Sequence, residues 1–179
     1  MPNWCSVDFD TYGSAEDLTR FREFVVGDDE GHATAFDFNK FVPMPAELRD
    51  TSDDHGTAYT LYYGDAETLL ERFWVKEANI TTIEQLRHYL EDRNPDLRAT
   101  ADRWKANMEK YGVGGWYDWS CEYWGTKSNA CYAELWSNPG GSLHVQFDTR
   151  VVFSVSGHGE TRSGVPDAGL CGVGSRTRR

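Results

Sequence analysis

The chain is 179 residues long, carries a formal net charge of −11, and is 39% hydrophobic with 9 Phe, 7 Trp and 9 Tyr, enough for one ordinary core and too aromatic for wholesale disorder. No apolar run approaches the ~20 residues of a membrane-spanning helix, and Met1-Pro2-Asn3-Trp4 has neither the basic flank nor the apolar stretch of a secretory signal, so a cytoplasmic, non-membrane protein is expected. Cys5, Cys121, Cys131 and Cys171 lack C-x-x-C spacing and read as reduced thiols.

In Cys5-Ser6-Val7-Asp8-Phe9-Asp10 the apolar residues alternate with polar ones, which predicts a first strand with one buried face. Asp8 and Asp10 are then solvent-facing strand positions rather than cation ligands. Ser14 caps a helix carrying Leu18, Phe21 and Val25, with Asp17 in its first turn and Gly27 at its end. Phe36 and Phe38 alternate with Asp37 and Asn39, predicting a second strand that stops at Val42-Pro43-Met44-Pro45, because proline cannot donate to a ladder. Residues 46–60, around Thr51-Ser52-Asp53-Asp54-His55-Gly56, read as a polar loop.

The middle of the chain reads as helical. Asp65 is a candidate cap for a helix carrying Leu69, Leu70, Phe73 and Trp74, and Thr81 with Glu84 forms a capping-box pattern before Ile83, Leu86 and Leu90. Asn94-Pro95 opens a longer helix in which Leu97, Ala101, Trp104 and Met108 recur at helical spacing up to Gly112. Trp116, Trp119, Tyr123 and Trp124 share a further helical stripe. Tyr132–Trp136, a turn at Asn138-Pro139-Gly140-Gly141, and Leu143–Asp148 predict a hairpin with Leu143, Val145 and Phe147 inward. A short strand at 151–155 and a flexible Gly/Ser/Arg-rich tail over 150–179 complete the pattern.

Charge is unevenly distributed. Residues 1–67 hold 15 acids against 4 bases, whereas 68–110 and 111–179 are each balanced. A negative leading third repels phosphate backbones and suits a basic protein partner, and the acids Asp28, Asp29, Glu30, Asp37, Glu47, Asp50, Asp53 and Asp54 are the expected partner-binding residues. The five histidines show no ligand spacing, so neither metal nor cofactor is expected. Serine elbows, phosphate loops and dinucleotide fingerprints are missing, and no catalytic residue is assigned. The cluster Trp116, Tyr117, Asp118, Trp119, Trp124, Lys127 and Asn129 admits three readings: core packing, a protein interface, or stacking on a nucleotide with Lys127 on phosphate and Asn129 on a base edge. Asp118 and Glu122, at i and i+4, read as surface charges or, if joined by Lys127, as a nucleotide-directed enzyme site.

Met1-Pro2-Asn3-Trp4-Cys5, Phe36-Asp37-Phe38-Asn39-Lys40 running into Pro43-Met44-Pro45-Ala46-Glu47-Leu48, Trp116-Tyr117-Asp118-Trp119, Trp124-Gly125-Thr126-Lys127-Ser128-Asn129-Ala130 and Gln146-Phe147-Asp148-Thr149 stand in this order. Together they resemble the YubB-type family of phage and plasmid proteins. The resemblance spans residues 1–149 and implies one α+β, ferredoxin-like domain, an antiparallel sheet with a helical insertion at about 64–125. It implies a mobile-element gene and no activity. Residues 150–179 depart from the family pattern of a proline-rich turn, an apolar helix and a final strand, leaving the C-terminal part of the fold incomplete and implying either a divergent or frame-shifted end or a second chain, a homodimer included, that supplies the missing layer at an uncovered sheet edge and face. The expected function is non-enzymatic: an acidic protein that inhibits a host defence complex, in the manner of an anti-CRISPR protein, by occupying its basic surface. The alternative is a single-stranded nucleic-acid-binding module using the sheet face and the aromatic cluster.

Overall fold

The structure is a computed structural model that describes residues 4–29, 31–138 and 140–150. The chain is α+β and divides into two compact units, residues 1–43 with 120–179, and residues 44–119. Among the described residues, no helix is long and apolar enough to cross a membrane. The expected strand at 151–155 and the tail lie outside the described residues.

The first unit holds β1 (Trp4–Tyr12), α1 (Ala15–Val25), the short strands β2 (Gly27–Asp29) and β3 (His32–Thr34), and the hairpin β4 (Cys131–Ser137) and β5 (Ser142–Arg150). β1 and β4 both pair antiparallel with the central β5, in the order β1-β5-β4. Strict alternation decides the faces. The odd-numbered residues Val7, Phe9, Leu135, Val145 and Phe147 turn inward and pack with Phe21, Val25, Phe36 and Phe38, while even-numbered ones such as Asp8, Asp10, Glu134 and Gln146 turn out. Ser14 caps α1 as its position in the sequence predicts, its Oγ accepting from the Asp17 N–H at 3.1 Å.

The strand expected at Phe36–Asn39 is replaced by a 3-10 turn over Phe38–Lys40. Asp37 is the cause: its carboxylate accepts from the Asn39 backbone N–H at 2.9 Å, a local bond that competes with a ladder. Both phenylalanines still reach the core, where Phe36 stacks on Phe147 at 5.1 Å and Phe38 meets the same ring edge-on at 5.5 Å.

Asp37 also joins the two chain segments of this unit. Its Oδ1 accepts from Asn129 Nδ2 at 2.8 Å, and Asn129 Oδ1 accepts from the Phe38 N–H at 2.9 Å. Both residues are buried. Gly27 makes room for the carboxylate, since a Cβ there would lie 2.1 Å from Asp37 Oδ2. Close by in sequence, Trp124 Nε1 donates to the Val42 carbonyl at 2.9 Å.

The second unit is helical: α2 (Ala46–Arg49), α3 (Asp53–Tyr63), α4 (Glu67–Leu70), α5 (Phe73–Glu77), α6 (Ile83–Glu91) and α7 (Leu97–Tyr111), with α8 (Trp116–Tyr123) beginning in it and ending in the first. Ala58, Leu61, Leu69, Val75, Leu86, Leu97 and Ala101 form its core. The predicted polar loop at 46–60 is instead two helices. Ser52 caps α3, and its N–H donates to His55 Nδ1 at 3.1 Å, a histidine taking the place usually held by Glu or Gln. Burial first, and the Arg103 charge second, hold the His55 ring below its ordinary pKa, which keeps it neutral and able to accept. The single helix expected after Asp65 is broken at Arg72 into α4 and α5. The cap of α6 is Thr82, one residue later than predicted, and α7 ends at Gly112 in the left-handed conformation, φ 77°.

Truncating Asn129 leaves a buried carboxylate short of a charge-assisted donor. Asn129→Ala should lower the unfolding free energy by about 2–3 kcal/mol in urea titration, and Asp37→Ala on top of it should cost less than the sum of the single changes. Additive losses would show that the two side chains are not coupled.

Candidate functional site: the open face of the sheet

The expected acidic site does not form as one surface in either unit. Asp28, Asp29 and Asp37 belong to the first unit and Glu47, Asp50, Asp53 and Asp54 to the second, while Glu30 lies outside the described residues. Asp37 is withdrawn from any partner-binding role, because it is 3% exposed and its carboxylate is engaged by Asn39 and Asn129. Glu47 pairs with Lys110 at 2.8 Å; that bond, its own backbone and Tyr111 lower its pKa from 4.5 to about 2. Asp28 and Asp50 are exposed, and Asp53 and Asp54 are exposed in the first turn of α3, where they complement the helix dipole.

The aromatic cluster is likewise divided between the units. Trp119 is buried, Trp116 is half-buried with its ring edge-on to Tyr117 at 5.7 Å, and Tyr117 and Asp118 are exposed. Trp124 packs on Phe38 at 5.8 Å and Lys127 is half-buried. Asn129 cannot read a base edge, since its amide is buried and bonded to Asp37 and the Phe38 N–H.

Among the described residues, a hollow opens in each unit. That in the first, about 350 Å³, is lined by Gly13, Leu18, Arg22, Asn138 and Leu143. That in the second, about 300 Å³, is lined by Glu47, Asp50, His55, Arg103 and Asn107. Its most perturbed groups serve the fold: Glu47 holds Lys110 and His55 caps α3. No group of three or more His, Cys, Asp or Glu side chains among the described residues is placed to hold a metal ion.

The surface that does concentrate chemistry is the outer, even-numbered face of the sheet, which the sequence reading invoked only for the nucleic-acid alternative and without naming its residues. Register sets Asp8, Gln146 and Glu134 in one row across the three strands and Asp10, His144 and Trp136 in the next. On the other side of the Asp8 row come Ser6 opposite Asp148, then Trp4 opposite Arg150. Rows follow each other at about 7 Å. Asp8, Asp10, Glu134 and Arg150 are exposed, and so are four large rings: Trp4 39%, Trp136 38%, Tyr12 76% and Tyr132 78%. Among the described residues, the four carboxylates of Asp8, Asp10, Glu134 and Asp148 thus share this face with one guanidinium.

Internal contacts hold this face in order. Asp10 Oδ1 lies 3.0 Å from His144 Nδ1 and accepts from Asn138 Nδ2 at 3.0 Å, and Trp136 lies 4.4 Å from the His144 ring. Ser6 Oγ donates to Asp148 at 2.6 Å. The Arg150 guanidinium lies over the Trp4 ring at 5.1 Å, and Tyr132 comes within 5.9 Å of the same ring. Tyr132 reaches Trp4 from β4 because the ladder is irregular between Cys131 and Glu134, with Tyr132 itself at φ 52°. Left-handed backbone at a bulky residue costs about 1–2 kcal/mol, and such strain gathers at functional surfaces.

Compared with protein-family models, with curated proteins and with solved structures, the chain matches none. The site therefore rests on its own geometry. One sequence signal points to it: Trp4, Tyr132 and Trp136 occupy the polar parity of amphipathic strands, where small polar residues suffice for solubility.

Because the Tyr132 ring is largely exposed, its strained backbone is not repaid by packing. Tyr132→Asn, which tolerates the left-handed conformation, should match the parent or exceed it by up to about 1 kcal/mol in urea unfolding. A loss of about 2 kcal/mol would show that the ring is held for packing.

Proposed function

We propose that this chain is a non-enzymatic binding protein whose open sheet face docks on a positively charged surface of another protein. The observation that carries the proposal is the make-up of that face, which among the described residues sets four carboxylates and one guanidinium among exposed tryptophan and tyrosine rings. Aromatic rings supply buried contact area and carboxylates supply steering and register, which is the division of labour in protein interfaces. The same carboxylates repel phosphate, so stacking on single-stranded nucleic acid is the weaker use of these rings. The sequence expectation of a basic protein partner is kept, and the contact is moved from the acidic loops to the sheet.

The proposal extends to the fold. A strand, a helix and a hairpin with sheet order β1-β5-β4 correspond to the first β-α-β-β half of a ferredoxin-like arrangement, with the helical unit inserted before β4. Among the described residues, Asp8, Asp10, Glu134 and Gln146 on the even-numbered face are exposed, which supports the docking reading. The YubB-type resemblance adds a setting: a phage or plasmid protein that masks the nucleic-acid-binding surface of a host defence complex.

Two quadruple variants with the same change in charge test the location. Asp8→Asn, Asp10→Asn, Glu134→Gln and Asp148→Asn together should weaken binding of a fluorescent lysine homopolymer about tenfold or more at ~0.1 M salt, read by anisotropy. Asp28→Asn, Asp50→Asn, Asp53→Asn and Asp54→Asn together should weaken it less than about threefold. Equal losses, or an oligonucleotide binding more tightly than the polycation, would contradict the proposal.

A further inference from the structure

We infer that the open face selects arginine over lysine, so that its partner presents an arginine-bearing segment. The inference rests on the proposed docking by this face and goes further in naming the group that is read. Its first support is internal: the chain's own Arg150 places its guanidinium 5.1 Å over Trp4, directly opposite in register, with Asp148 next to it on the same face of β5. An aromatic plane and a carboxylate together make a good guanidinium site, because the planar cation stacks on the ring while its edge donates to oxygen.

The second support is that the arrangement recurs at the other end of the face. The Trp136 ring lies against the His144 ring, with centroids 4.4 Å apart and planes tilted by 38°, and His144 Nδ1 lies 3.0 Å from Asp10 Oδ1. There the nitrogen-bearing plane beside the indole is an imidazole rather than a guanidinium, and it also reaches a carboxylate. Between the two ends lie Asp8 and Glu134, flanking Gln146 in a single row, and both carboxylates are exposed. An extended partner segment crossing the face would meet ring, carboxylates and ring in turn. An ammonium group gains the carboxylates, but it is a more strongly hydrated point charge and gains less from the rings. The face thus has a reason to prefer guanidinium beyond charge.

Among the described residues the charged groups on this face are Asp8, Asp10, Glu134, Asp148 and Arg150, with His144, Tyr12 and Tyr132 as further titratable groups, and the net sign favours either basic peptide. Capped hexa-arginine and hexa-lysine peptides, equal in charge, separate the two contributions. Hexa-arginine is expected to bind the unmodified chain at least about tenfold more tightly in calorimetry at ~0.1 M salt. Trp136→Leu should remove most of that preference by weakening hexa-arginine alone. Equal affinities on the unmodified chain overturn the arginine inference while leaving the docking proposal standing, and that comparison needs no variant to fold. Failure of both peptides to bind overturns the docking proposal itself. Equal weakening of both peptides by Trp136→Leu would also overturn the preference.

Discussion

The hydrogen bonds that the Asn129 amide makes to the Asp37 carboxylate and to the Phe38 backbone N–H are the constraint on which the first unit depends. This unit is built from two chain segments separated by residues 44–119, and the sheet takes one strand from the first segment and two from the second. Closing a long excursion costs only logarithmically in its length, so a large insertion is tolerable provided its ends are fixed. Asp37 and Asn129 fix them in a buried setting, Gly27 leaves space for the carboxylate, and the Trp124–Val42 bond adds a second tie. Residues that looked like parts of a strand and of a ligand site are thus a fastening.

With the two segments fastened, β5 can take the centre of the sheet and strand alternation does the rest. Odd positions supply the phenylalanine-rich layer under α1, and even positions are committed to the other face. That face departs from what solubility alone requires. It carries exposed tryptophans, a tyrosine on left-handed backbone, and carboxylates tied in place by serine, asparagine and histidine. Ordered carboxylates and rigid rings lose little freedom on binding, which makes the arrangement suited to a contact surface.

Much of the scaffold was legible in the sequence because local signals agreed with tertiary ones. The alternation in Cys5–Asp10, the Ser14 cap, the helix from Leu97 to Gly112, and the Leu143, Val145 and Phe147 face all correspond to the observed elements. The misreadings have specific causes. Phe36–Asn39 has the period of a strand, but the Asp37 side chain offers its backbone a competing bond. Residues 46–60 look polar because α3 starts with acids that suit its N-terminus and buries only Ala58 and Leu61. The site was missed for a different reason. Solvent-facing strand positions were correctly recognised at Asp8 and Asp10, but only pairing shows that these acids share rows with Trp136 and Glu134 from more than a hundred residues away. Such juxtaposition is a property of register, and register is not written in any one segment.

The most direct measurement is a ¹H–¹⁵N titration of the labelled chain with an arginine peptide, following the seven tryptophan indole N–H signals. The account predicts that the indole resonances of Trp4 and Trp136 shift together and saturably, while those of Trp119, which is buried, and Trp124, which donates to Val42, stay in place. Shifts at backbone amides near Asp28 or Asp53 with Trp4 and Trp136 unmoved would contradict it.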